Sequence, residues 1–121
     1  MYKYSDVLDS ACLEDLYGDD TEYALQMFEI YVDMIEGQCT KLMEAVESDD
    51  RETTRKLSHK IKPVFTMVGL PRLTKLSEQI EKESGSGKQE WLITHSSELN
   101  EEVRDTLPSI ITEIEKLKKN S

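Results

Sequence analysis

A chain of 121 residues supports one hydrophobic core, and we take residues 1–121 as a single domain. Acidic residues outnumber basic ones by 25 to 15, and the formal charge of -10 argues against nucleic acid or an anionic membrane surface as partner, since both select basic faces. No apolar run approaches the ~20 residues of a bilayer span, and Met1-Tyr2-Lys3-Tyr4-Ser5-Asp6 lacks the apolar core of a signal peptide; the expectation is a cytoplasmic protein whose Cys12 and Cys39, far apart and without metal-ligand spacing, pack as free thiols.

Val7, Leu8, Ala11, Cys12 and Leu16 recur at helical spacing, which predicts a short first helix from Val7 to Tyr17, stopped by Gly18. Asp19-Asp20-Thr21-Glu22 then reads as a new start, with Asp19 as cap and Glu22 reaching back to it. From there to Glu47, Leu25, Phe28, Val32, Ile35, Cys39, Leu42 and Val46 repeat every three or four residues, so a long amphipathic helix is predicted. Gly37 inside it suggests close packing or a mild bend. The start signal recurs at Ser48-Asp49-Asp50-Arg51-Glu52, with Asp49 as the expected cap.

The third helix carries Leu57, Ile61, Val64, Phe65 and Val68 within about 100° of one another on a helical projection. His59 points about 180° from the middle of that stripe. Arg55, Lys56, Lys62, Pro63 and Thr66 are its neighbours on the outer face. Pro63 removes one backbone donor, and Lys62 before it is pushed off helical angles, so a kink is predicted. Gly69 closes the helix with a left-handed cap, and Pro71 suits the first turn of the next one.

That next helix runs to about Glu83 with Leu73, Leu76 and Ile80 inward. Ser84-Gly85-Ser86-Gly87 is a short flexible turn between antiparallel neighbours. The last helix starts near Lys88 and carries Leu92, Leu99, Val103, Leu107, Ile110, Ile114 and Leu117, with a kink at Pro108 and Lys116, Lys118 and Lys119 near its negative end. The fold class is therefore all-α: an up-down antiparallel four-helix bundle with a short extra N-terminal helix.

An exposed imidazole ringed by cations on an acidic chain suits a phosphoryl acceptor. The nitrogen must be reachable in line by the donor. It must be neutral part of the time, as an exposed histidine near neutral pH is. Positive charge must stand by for the transferring oxygens, and Lys62 is placed for this, with Arg55 and Lys56 beyond. Pro63, Val64, Thr66 and Met67 would border a docking surface. The competing reading is a solvated surface histidine among lysines. His95, with no lysine one turn on, reads as a rim residue, Trp91 and Tyr17 as packing residues, the methionines as core filler, and the carboxylates as a dispersed, solvated face.

His59, Ile61-Lys62 and Val68-Gly69-Leu70, followed by Leu73, Leu76 and Ile80-Glu81, resemble the histidine-containing phosphotransfer (HPt) domain family. Leu16-Tyr17-Gly18-Asp19 ahead of a long helix, and Ala45 with Asp49 and Asp50, extend the resemblance over nearly the whole chain. The resemblance implies a four-helix bundle that carries a phosphoryl group on His59, with Lys62 as its electrostatic partner and Gly69 structural. It also implies a phosphocarrier without an ATP site, acting as a monomer between receiver domains of response regulators or hybrid histidine kinases in two-component signalling. No cofactor or metal is implied in this chain; magnesium is expected on the partner receiver. The family usually has glycine and then a small polar residue where this chain has Pro63 and Val64, a departure that bears on the docking surface. Two further readings compete with the carrier: a helical interaction module that binds a receiver or kinase without being phosphorylated, and a purely structural bundle.

Overall fold

A computed structural model describes residues 1–120. Its five helices are α1 (Ser10–Tyr17), α2 (Thr21–Glu47), α3 (Arg51–Met67), α4 (Pro71–Glu83) and α5 (Gln89–Lys119), and the described residues contain no strand. Helices α2 to α5 form the expected bundle: α2 packs on α3 and α5, and α4 packs on α3 and α5. The connections between them span only a few residues, so each helix returns beside its predecessor. The short α1 lies against α2 and α3. Phe28, Ile35, Leu42, Ile61, Phe65, Leu73, Ile80, Leu92, Leu99, Ile110 and Leu117 join in one buried cluster.

The caps of α2 and α3 follow local chemistry, one residue later than the sequence suggests. Asp20, not Asp19, caps α2, accepting from Tyr23 N at 3.1 Å. Asp50, not Asp49, caps α3, accepting from Thr53 N at 3.1 Å. Asp49 instead takes a left-handed conformation, φ 56, and closes α2. There the amides of Asp49 and Asp50 reach back to the carbonyls of Val46 and Ala45 at 3.1 and 2.9 Å. Glu52, expected to reach back to the cap, pairs forward with Lys56 at 3.1 Å. The end of α3 repeats the closing geometry, with Gly69 at φ 72 and the amides of Gly69 and Leu70 bonded to the carbonyls of Thr66 and Phe65. A Cβ on Gly69 would stand 3.0 Å from both Asp9 N and Leu13 Cδ1. Glycine is thus required twice over at this position, by backbone sign and by space.

Several expectations are corrected. α1 starts at Ser10, not Val7, and buries Leu13 and Tyr17, while Val7, Ala11 and Leu16 face solvent. Gly37 is exposed with nothing within 4 Å of a built Cβ, so close packing is not its role. In α2 Ala24, Tyr31 and Ala45 are buried, whereas Leu25 and Val32 are only half-buried. Cys39 is buried as expected, but Cys12 is only half-buried; both are free thiols. α3 runs through Pro63 without interruption, and Lys62 stays helical. Not every carboxylate is solvated. Glu113 is 1% exposed and accepts from the Tyr2 hydroxyl and from Ser5 N. Lys116 lies 3.7 Å from the same carboxylate and over the Tyr2 ring. That clasp ties the N-terminal segment to the end of α5.

Candidate functional site

The buried face of α3 is Thr54, Ser58, Ile61, Phe65 and Val68, with Leu57 and Val64 only half-buried. Two hydroxyl residues therefore replace part of the expected aliphatic stripe. They are tolerated inside because their own helix satisfies them: Ser58 Oγ donates to Thr54 O at 2.7 Å and Thr54 Oγ1 to Asp50 O at 2.8 Å. This turns the helix slightly about its axis. His59 ends up about 140° from the middle of the buried row instead of opposite it, tilted towards α4.

The tilt brings in a residue that the sequence reading does not single out as functional. Glu81, on α4, lies with Oε2 2.8 Å from His59 Nδ1 and Oε1 3.4 Å from Lys62 Nζ. The imidazole side chain is 66% exposed, Lys62 30% and Glu81 22%. A carboxylate only accepts hydrogen bonds, so the proton of a neutral His59 belongs on Nδ1. Nε2 is then the nitrogen with the free lone pair. The same carboxylate also bonds Lys62, which places an ammonium near the imidazole. No signal of helical periodicity could have paired residues 22 positions apart on different helices.

The other expected site residues separate into two groups. Arg55 and Lys56 are exposed on the turn before His59, with Lys56 paired to Glu52. Pro63 and Met67 are exposed, Val64 and Thr66 half-buried. Thr66 Oγ1 is 3.1 Å from Thr74 Oγ1 and faces α4, whereas Met67 sits by α1, its carbonyl accepting from the Tyr17 hydroxyl at 2.6 Å. Beyond Met67 the surface turns apolar. The Tyr17 ring meets that of Tyr23, centroids 5.5 Å apart. On α2, Tyr23, Met27, Ile30 and Met34 recur at helical spacing along one edge; Tyr23 and Ile30 are 46% and 51% exposed, and Leu16 of α1 is 47% exposed. The sequence reading takes Met27 and Met34 as filler, but they are half-buried members of this surface row.

His95 is confirmed as a half-buried rim residue: it stacks on Trp91 with centroids 3.8 Å apart, and its Nδ1 donates to Trp91 O at 2.8 Å. Among the described residues no group of His, Cys, Asp and Glu is arranged to hold a metal ion.

The bundle thus displays an exposed, oriented imidazole with an ammonium held by the same carboxylate. A family model described as the Hpt domain matches residues 26–116, from the second turn of α2 to the end of α5. The chain belongs to the Hpt domain family, and is a histidine phosphotransfer module of phosphorelay signalling. No curated protein and no solved structure matched the chain. No helix among the described residues is long and apolar enough to cross a membrane.

Proposed function

We propose that the protein is a phosphorelay carrier in which His59 takes a phosphoryl group from the aspartate of one receiver domain and gives it to another. The Nε2 lone pair attacks phosphorus in line; the bond from phosphorus to the aspartyl oxygen breaks as the bond to nitrogen forms, and the electron pair leaves with the carboxylate. Glu81 keeps the proton on Nδ1, so the ring attacks with the outward nitrogen. Lys62 swings from Glu81 to the phosphoryl oxygens and offsets charge there. Arg55 and Lys56 attract the acidic edge of the donor. The magnesium ion is assigned to the partner receiver, whose carboxylates suit it. The reverse sequence, with a second receiver, returns Nε2 to its free state.

Docking is assigned to the apolar row of Leu16, Tyr23, Met27 and Ile30, continued by Val64 and Met67 beside the histidine. The protein acts in this reading as a monomer in the cytoplasm, with response regulators or hybrid kinases as partners. The observation that carries the proposal is the exposed His59 ring held by the carboxylate that also holds Lys62. The test is to mix the protein with a phosphorylated receiver and measure acid-labile, alkali-stable phosphate on the carrier. His59→Gln abolishes it; equal labelling of that variant would overturn the assignment.

A further inference from the structure

Pro63 lies inside an unbroken helix, exposed, one turn beyond His59. In an α-helix the carbonyl of residue 59 accepts from the amide of residue 63. Proline has no amide hydrogen, so that donor is missing and the His59 carbonyl oxygen loses its helical partner. His59 is itself exposed, and Pro63 stands only about 40° round the helix from it. The residue bearing the imidazole therefore also carries a backbone acceptor without its usual helical donor, next to an exposed proline on the same side of the helix as the ring. A helix interior is the least favourable place for proline, and an exposed one contributes little to the core in return.

Resting on the carrier reading above, we propose that Pro63 is a partner-specificity residue: it frees the His59 carbonyl to accept a hydrogen bond from the docked receiver. The matching feature on the partner is an N–H donor, from backbone amide, amide side chain or ammonium, beside its phosphorylated aspartate. A receiver with such a donor is held in register with the imidazole. A receiver presenting a carbonyl or aliphatic group there leaves the acceptor unmet and docks less well.

The test compares two ways of loading His59. Phosphoramidate phosphorylates an accessible imidazole without docking, whereas a phosphorylated receiver must dock first. Pro63→Ala and Pro63→Gly both restore the amide hydrogen and so occupy the carbonyl within the helix. Both are expected to load from phosphoramidate within about twofold of wild type, yet from the receiver about 3–10 times more slowly, the loss of one hydrogen bond. Pro108→Ala, which removes the interior proline of α5, serves as control and loads normally from both donors. Wild-type rates for both Pro63 variants with the receiver overturn the proposal. So does slowing by alanine but not glycine, which would mean steric contact alone, and so does equal slowing with phosphoramidate, which would mean altered ring reactivity. If wild type takes phosphate from neither donor, the carrier reading itself falls, a result distinct from these.

Discussion

Glu81→Ala removes the carboxylate that bonds both His59 and Lys62. Three effects follow from the geometry. The imidazole loses its acceptor at 2.8 Å and is free to flip or to carry its proton on the other nitrogen. Lys62, held at 3.4 Å, is free to wander. The site also loses one negative charge, which would otherwise repel an incoming phosphoryl group. A hydrogen bond to a charged group contributes about 1.5–3 kcal/mol when shielded. His59 is 66% exposed, so solvent screening reduces this to about 0.5–1.5 kcal/mol. At about 1.4 kcal/mol per decade, the initial rate of transfer from a phosphorylated receiver should fall about 2–10-fold. Glu81→Gln keeps a side-chain oxygen for Nδ1–H but gives up the ion pair with Lys62, so it should fall between the two. The assay is a rapid-quench time course read on phosphate-affinity gels, with circular dichroism to verify that each variant is folded. A Glu81→Ala protein that accepts phosphate as fast as wild type would refute the claim that the carboxylate orients the ring.

Three other outcomes follow from the structure. Gly69→Ala combines a left-handed backbone with a Cβ only 3.0 Å from Asp9 N and Leu13 Cδ1; urea unfolding should show a loss of about 2–4 kcal/mol. The Tyr31 hydroxyl is buried with no hydrogen-bond partner among the described residues, so Tyr31→Phe should unfold at the same urea concentration or a higher one, with a gain of up to about 1 kcal/mol; a clear loss would mean that the hydroxyl has found a partner. Asp50 is held below the usual carboxylate range by its hydrogen bonds from the side chain and then the backbone of Thr53. A depressed acid stabilises the fold above its unfolded value, 3.8, and that contribution is lost as pH falls through the folded value below it. Asp50→Ser keeps a cap but cannot titrate there, so the wild-type advantage in thermal melts should shrink as pH falls below the unfolded value of 3.8.

The clasp of Tyr2 and Glu113 marks where a reading of sequence runs out. The dispersed spacing of the carboxylates reads Glu113 as solvated, because an isolated glutamate has no feature that announces a buried partner 111 residues away. Tyr31, Thr54 and Ser58 were missed as inward residues for a related reason. Periodicity reports which side of a helix is apolar on average, whereas packing sets the rotation about the axis, and small hydroxyls bonded to their own helix fit inside without breaking any rule of burial. The misplaced caps are a milder case: with two adjacent aspartates, either could cap, and the closing turn of the preceding helix chose the second.

The chain alone determined the five helices, the turns at Gly18, Gly69 and Ser84-Gly85-Ser86-Gly87, and an imidazole turned to water with a lysine one turn on. These depend on local chemistry: spacing, capping and the special backbones of glycine and proline. Tertiary structure decided that α4 lies along the histidine side of α3, so that Glu81 reaches both His59 and Lys62, and that Tyr17 of α1 links Met67 to Tyr23 on α2. Contacts between helices depend on how their faces interlock, a property of the packed bundle that no single stretch of residues contains.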